Sequence, residues 1–111
     1  MPDPMPNPIV IKLLRAGEWA AFEADGAFAG SADDLRDGYI HLSTPGQVAG
    51  TAAKYFAGAK GAVAVTLDAE ALGQALRWEA SRGGMLFPHL YRELRMADVV
   101  SVAALPQAEA S

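Results

Sequence analysis

A chain of 111 residues that is 51% apolar and 20% charged has the length of one small domain and is too apolar to be disordered. Its net charge of −4, with lysines and arginines scattered rather than clustered, argues against generic nucleic-acid binding, which needs a basic stripe. The absence of cysteine excludes disulfides and thiolate metal sites and is compatible with a reducing cytoplasm, the expected location.

No apolar run approaches the roughly 18–20 residues that span a bilayer, so no membrane partner is expected. Proline-rich Met1 to Pro8 lacks the apolar stretch of a signal peptide and reads as a flexible tail, 1–8. Ile9-Val10-Ile11-Lys12-Leu13-Leu14 is a β-branched run and reads as a strand buried on at least one face. Helix follows from about Ala16, with Leu14, Trp19 and Phe22 near one apolar stripe and Gly26 as its stop. Ala27 to Asp37 reads as loop with a short helical turn at Ala32 to Leu35.

Gly38 opens the strand Tyr39-Ile40-His41-Leu42-Ser43. Thr44-Pro45 then reads as an N-cap and first position of a helix running to Phe56, with Val48, Ala52, Tyr55 and Phe56 on its core side. Ala62 to Asp68 is the clearest strand, followed by a turn or short helix from Ala69 to Gly73. Leu76-Arg77-Trp78-Glu79 reads as a strand and Ser81 to Gly84 as a flexible loop. Leu86 to Met96 is extended with a break at Pro88, Val99 to Ala104 closes the sheet, and 106–111 reads as a second flexible tail. Residues 9–105 thus read as a single domain. Strands outnumber helices and lack regular crossover helices, which gives an α+β class: a small mixed or mainly antiparallel sheet with two main helices.

Both histidines sit in one setting, His41-Leu42-Ser43 and His89-Leu90-Tyr91. In a strand, i and i+2 share a face, so each leucine can anchor in the core while histidine and hydroxyl project together. Histidine is also the side chain suited to acid/base work near neutrality. His41, Glu79 and His89 are therefore the candidate catalytic residues, and Tyr39, Ser43, Arg82 and Tyr91 the candidate ligand contacts. A carboxylate such as Glu79 can orient a histidine, act as a base or hold a ribose diol. Each residue also has a structural reading: His41 bonding a loop, Ser43 assisting a cap, Arg77 and Glu79 forming a solvated ion pair worth little. His41, His89 and Glu79 would make a two-histidine, one-carboxylate set, but no His-x-x-x-His spacing supports a metal, and none is expected.

Taken in order, Ile11-Lys12-Leu13, Glu18-Trp19, Gly38 to Ser43, Gln47, Leu76 to Glu79 and Phe87-Pro88-His89-Leu90-Tyr91 resemble domain of unknown function 952, a family of small bacterial proteins. The resemblance covers roughly residues 9 to 103. That family is in turn similar to the ADP-ribosyltransferase-like superfamily, which implies a split sheet with NAD held in a central cleft as substrate. In that superfamily a strand-borne histidine, followed two residues on by a hydroxyl, holds the NAD ribose; His41 and Ser43 match it. A later glutamate or histidine supports transfer, where Glu79 or His89 could stand. The chain departs from the pattern in its shortness and in offering only Tyr55 and Tyr91 for nicotinamide stacking. The expected partner is a small, nucleotide-like molecule. Two alternatives remain open: a non-catalytic module binding a small ligand or a protein, and a two-histidine phosphoesterase, whose second motif Tyr91 breaks.

Overall fold

Strand β1 (Ile9–Leu14) anchors the core of the computed structural model, which describes residues 9–105; the two expected tails, 1–8 and 106–111, lie outside the described residues. Val10, Lys12 and Leu14 share one parity along β1, and all three are buried. β1 pairs antiparallel with β4 (Val63–Asp68), which pairs antiparallel with β8 (Val99–Ala104). Val65 and Leu67 of β4 join Val10 and Leu14 in the core.

Helix α1 (Ala16–Asp25) ends where Gly26 takes the left-handed conformation, φ 78°, and donates its N–H to the Phe22 carbonyl. Trp19 meets Phe22 edge-on at 5.6 Å, and Phe22 lies 5.9 Å from Phe28 of β2 (Ala27–Phe28). Phe22 is fully buried, a contribution of about 1.5–3 kcal/mol. β2 pairs antiparallel with β7 (Leu94–Arg95).

Within the segment expected as loop from Ala27 to Asp37, the short helical turn expected at Ala32 to Leu35 is helix α2, which runs on to Asp37. Its start is a reciprocal cap. Ser31 Oγ accepts from the Asp34 N–H, and Asp34 Oδ2 accepts from the Ser31 N–H.

The third sheet has the order β3-β6-β5, with β3 at Ile40–His41, β5 at Leu76–Ala80 and β6 at Leu86–Leu90, all antiparallel. Two expectations are corrected here. β6 runs unbroken through Pro88, and the strand expected over Tyr39 to Ser43 is only two residues long. One cause serves both. The Leu42 N–H donates to the Pro88 carbonyl at 3.0 Å, but proline has no N–H to return the bond, so the β3 ladder stops there. The chain then changes sheets, and Ser43 exchanges both backbone hydrogen bonds with Ile11 of β1 at 2.8 Å. This hand-over joins the two three-stranded sheets.

Helix α3 covers Val48–Tyr55, shorter than the expected Pro45 to Phe56. The Gln47 side chain, rather than Thr44's, organises the entry: Oε1 accepts from the Thr44 N–H, and Nε2 donates to the Leu86 carbonyl. Tyr55, expected on the core side, is 45% exposed. Helix α4 (Ala69–Leu72) starts at Asp68, whose side chain accepts from the Glu70 N–H. The class is α+β with antiparallel sheets and, among the described residues, four α-helices, of which α1 and α3 are the longest. Among the described residues no helix is long and apolar enough to cross a membrane.

Candidate functional site

The hand-over at Leu42 opens a cleft of about 330 Å³ where the two sheets part. His41 reaches it from β3, His89 from β6, Ser43 from the β1 side and Thr51 from α3, with Phe56 and Phe87 as aromatic walls. Ile40 and Leu42 point into the core at 2% and 3% exposure, so the alternation puts His41 on the opposite face.

His41 and His89 are direct cross-strand partners, with ring centroids 5.6 Å apart in an edge-on arrangement. Tyr39 packs against both rings, 4.7 Å from His41 and stacked on His89 at 4.1 Å. Tyr91 closes the group at 5.3 Å from Tyr39. Glu79, Tyr39 and Tyr91 do not line the cleft itself; they touch it through His89.

The surroundings of the two imidazoles differ. His41 has Nδ1 2.6 Å from Asp34 and Nε2 3.0 Å from Asp37. Two ring donors exist only in the doubly protonated ring, and both nitrogens are turned toward the protein's own carboxylates. His89 has one such partner: Nδ1 lies 2.7 Å from Glu79 Oε1, which also accepts the Tyr91 hydroxyl at 2.7 Å. An ionised Glu79 can only accept, so His89 carries a proton on Nδ1, and in the neutral form of the ring Nε2 keeps its lone pair. Among the described residues Nε2 has no hydrogen-bond partner and is not a buried orphan, and His89, only 4% exposed, lines the cleft.

Asp34 is the residue the sequence reading missed. Buried, it accepts from Lys12 Nζ at 2.9 Å and from the backbone N–H groups of Ser31 and His41, and it holds the His41 ring. Burial alone would push its carboxyl up; the His41 hydrogen bond and the charge of Lys12 outweigh that and hold it well below the usual carboxylate range. Lys12 is buried in turn, and besides Asp34 it donates to the His41 carbonyl at 3.1 Å. A lysine at the parity of Val10 and Leu14 was the available signal, since a charge there requires a buried partner. Ser31 three residues before Asp34 was a second signal, in the pattern of a helix cap.

The Tyr91 hydroxyl, and next the His89 ring, lower the Glu79 carboxyl, while Glu79 raises the Tyr91 phenol. Burial, helped by Asp37 and Glu79, raises Tyr39. Arg36 holds Asp37 low. Arg77, read as a possible ion-pair partner of Glu79, instead lies over the Tyr91 ring at 4.9 Å. Ser43, expected to project with His41, is 4% exposed and meets the Thr51 hydroxyl at 3.1 Å on the cleft floor. Arg82 stands in the 3-10 turn Arg82–Gly84; its side chain lies outside what the structure describes. Among the described residues no group of three or more His, Asp or Glu side chains is disposed to hold a metal ion.

Chemically, the arrangement offers one cleft-facing base, a pair of hydroxyls and two aromatic walls, with a second imidazole fixed as part of the frame. An acid-and-base pair of free histidines, as a two-histidine phosphoesterase needs, is not what it presents.

The family model described as "Protein of unknown function (DUF952)" matches residues 13–102. The crystal structure of protein CC0527 from Caulobacter crescentus is similar at 50% identity and a TM-score of 0.85, over 88% of this chain and 86% of that one. Its solution NMR structure is similar at 49% identity and a TM-score of 0.81, over 92% and 87%. No curated protein matches.

Proposed function

The chain belongs to the DUF952 family, a family of unknown function, and from that premise we propose that its cleft binds NAD or an ADP-ribose-like ligand. The observation that carries this reading is the unpartnered Nε2 of His89, held toward a cleft floored by the hydroxyls of Ser43 and Thr51. An acceptor nitrogen and two hydroxyls suit the vicinal hydroxyls of a ribose, and Phe87 supplies an apolar wall for a flat base. His41, with both nitrogens committed, shapes the wall rather than donating to the ligand.

Cleavage or transfer at the ribosyl bond falls to the same pair. Nicotinamide leaves as a neutral base, an acceptor hydroxyl or water adds at the ribose carbon, and His89 Nε2 takes the proton that the acceptor releases, with Glu79 holding the ring. The alternative of a binding module without chemistry is favoured by the fixed state of His41, which leaves a single free imidazole.

Titration calorimetry with NAD, ADP-ribose and nicotinamide tests the reading. Saturable heat is expected from ADP-ribose on the wild type, with affinity reduced at least about tenfold in His89→Ala, the scale of a lost buried hydrogen bond. Silence of all three ligands on the wild type overturns it.

A further inference from the structure

We propose that Arg15 is the phosphate-binding residue of this cleft, so that a ligand lies with its phosphate between α1 and α3 and its ribose toward His89. This rests on the ligand-binding reading above and assigns the ligand an orientation.

Among the described residues, three cations line the cleft: Lys12, Arg15 and Arg36. Lys12 is buried against Asp34 at 2.9 Å. Arg36 is held by Asp37 at 2.8 Å and Asp33 at 3.2 Å. Arg15 is placed differently. Its guanidinium lies over the Phe56 ring, 4.5 Å from the centroid, and Nη2 donates to the Tyr55 carbonyl at 3.0 Å. Among the described residues no ion pair engages it, and Glu18, the acid of the same turn, accepts from the Arg15 backbone N–H at 2.8 Å.

A stacked ring and one carbonyl fix the plane of this guanidinium while using one of its five N–H donors. That is a pre-organised fork of the kind that meets phosphate oxygens two at a time. Helix α3 sets the spacing along the cleft. Thr51 and Tyr55 stand four residues apart, one turn along the same face. Thr51 holds Ser43 at one level, and the Tyr55 carbonyl with Phe56 holds Arg15 at the next. The cleft lining brings together a cation, a pair of hydroxyls and an imidazole, beside the carboxylates of Glu18, Asp33 and Asp34. A ribose carrying a 5′-phosphate presents groups complementary to the cation, the hydroxyls and the imidazole.

The test is calorimetric titration of ADP-ribose into wild type, Arg15→Met and Arg15→Lys at two ionic strengths, with melting curves to confirm that all three are folded. Methionine keeps an apolar stem over Phe56 and removes the charge, so a packing role would survive it. Arg15→Met is expected to weaken ADP-ribose binding about ten- to a hundredfold, the worth of a charge-assisted fork, and to flatten its salt dependence; Arg15→Lys should fall between. Equal affinity and equal salt dependence in wild type and Arg15→Met overturn the assignment and leave the binding reading standing. Absence of binding by the wild type overturns both.

Discussion

His41 and His89 face each other across one antiparallel rung with ring centroids 5.6 Å apart, yet the protein commits them in opposite ways. Asp34 and Asp37 take both nitrogens of His41, whereas Glu79 takes only Nδ1 of His89. Two similar tripeptides therefore yield one imidazole with both nitrogens on carboxylates and one with a single nitrogen so engaged. The difference comes from what faces each ring: a helix with aspartates at both ends of its ring, against a strand with a single glutamate.

The first consequence concerns the His89 tautomer. In the neutral ring of the wild type, long-range proton–nitrogen NMR should show the proton on Nδ1, because Glu79 accepts there. Glu79→Ala removes that acceptor and should shift the population toward the Nε2–H form. An unchanged tautomer in the variant would contradict the assignment of Glu79 as the residue that positions His89.

The buried pair of Lys12 and Asp34 sets a second expectation. Asp34→Ala leaves the Lys12 charge buried without its carboxylate and should destabilise the fold by about 3–5 kcal/mol. Adding Lys12→Met to that variant should recover part of the loss. Urea unfolding measures both, and a double variant no more stable than Asp34→Ala would show that the lost Ser31 and His41 bonds, rather than the stranded charge, dominate.

The same aspartate gives stability a pH dependence with a definite sign. Asp34 is held below its ordinary value of 3.8 in the folded protein, so the unfolded chain takes up the proton at higher pH. Its contribution is complete above about pH 5 and is lost as pH falls through that ordinary value toward the lower folded one. Asp98, held low first by its Arg92 hydrogen bonds at 2.9 and 3.0 Å, adds in the same direction. Stability should fall on acidification, and the gap between wild type and Asp34→Asn should narrow below pH 4. A gap constant from pH 7 to pH 3 would count against it.

Gly30 offers a probe of how tightly Asp34 is placed. Its φ of +137° disfavours a side chain, and a Cβ there would sit 2.7 Å from the Asp34 Cβ. Gly30→Ala should cost more than about 1 kcal/mol and move the His41 ring resonances, because Asp34 must shift. Wild-type stability with unmoved His41 signals would contradict the placement of Asp34.

Much of this was legible in the chain. The i, i+2 alternation placed Ile40, Leu42 and Leu90 in the core, all at 3% exposure or less, and it put His41 and His89 on the opposite face. The β-branched run Ile9 to Leu14 and the run Val63 to Asp68 are strands as expected. What the sequence hid was relational. The end of β3 depends on a proline 46 positions away in the chain that cannot donate to Leu42, and no local pattern around Leu42 records it. Asp34 fell in an expected helical turn but its role was hidden, because the six-residue helix that carries it is held by a cap and by partners on β1 and β3. Gln47 likewise ties the entry of α3 to the Leu86 carbonyl of β6, a link between distant segments that no local pattern records.

The most direct test of the central claim is an amide and imidazole NMR titration of the wild type with ADP-ribose. Saturable shifts at His89 Nε2, Ser43, Thr51 and the Arg15 side chain, with the core around Val65 and Leu67 undisturbed, are the predicted result. Shifts that do not saturate, or that gather on residues away from the cleft, would contradict it.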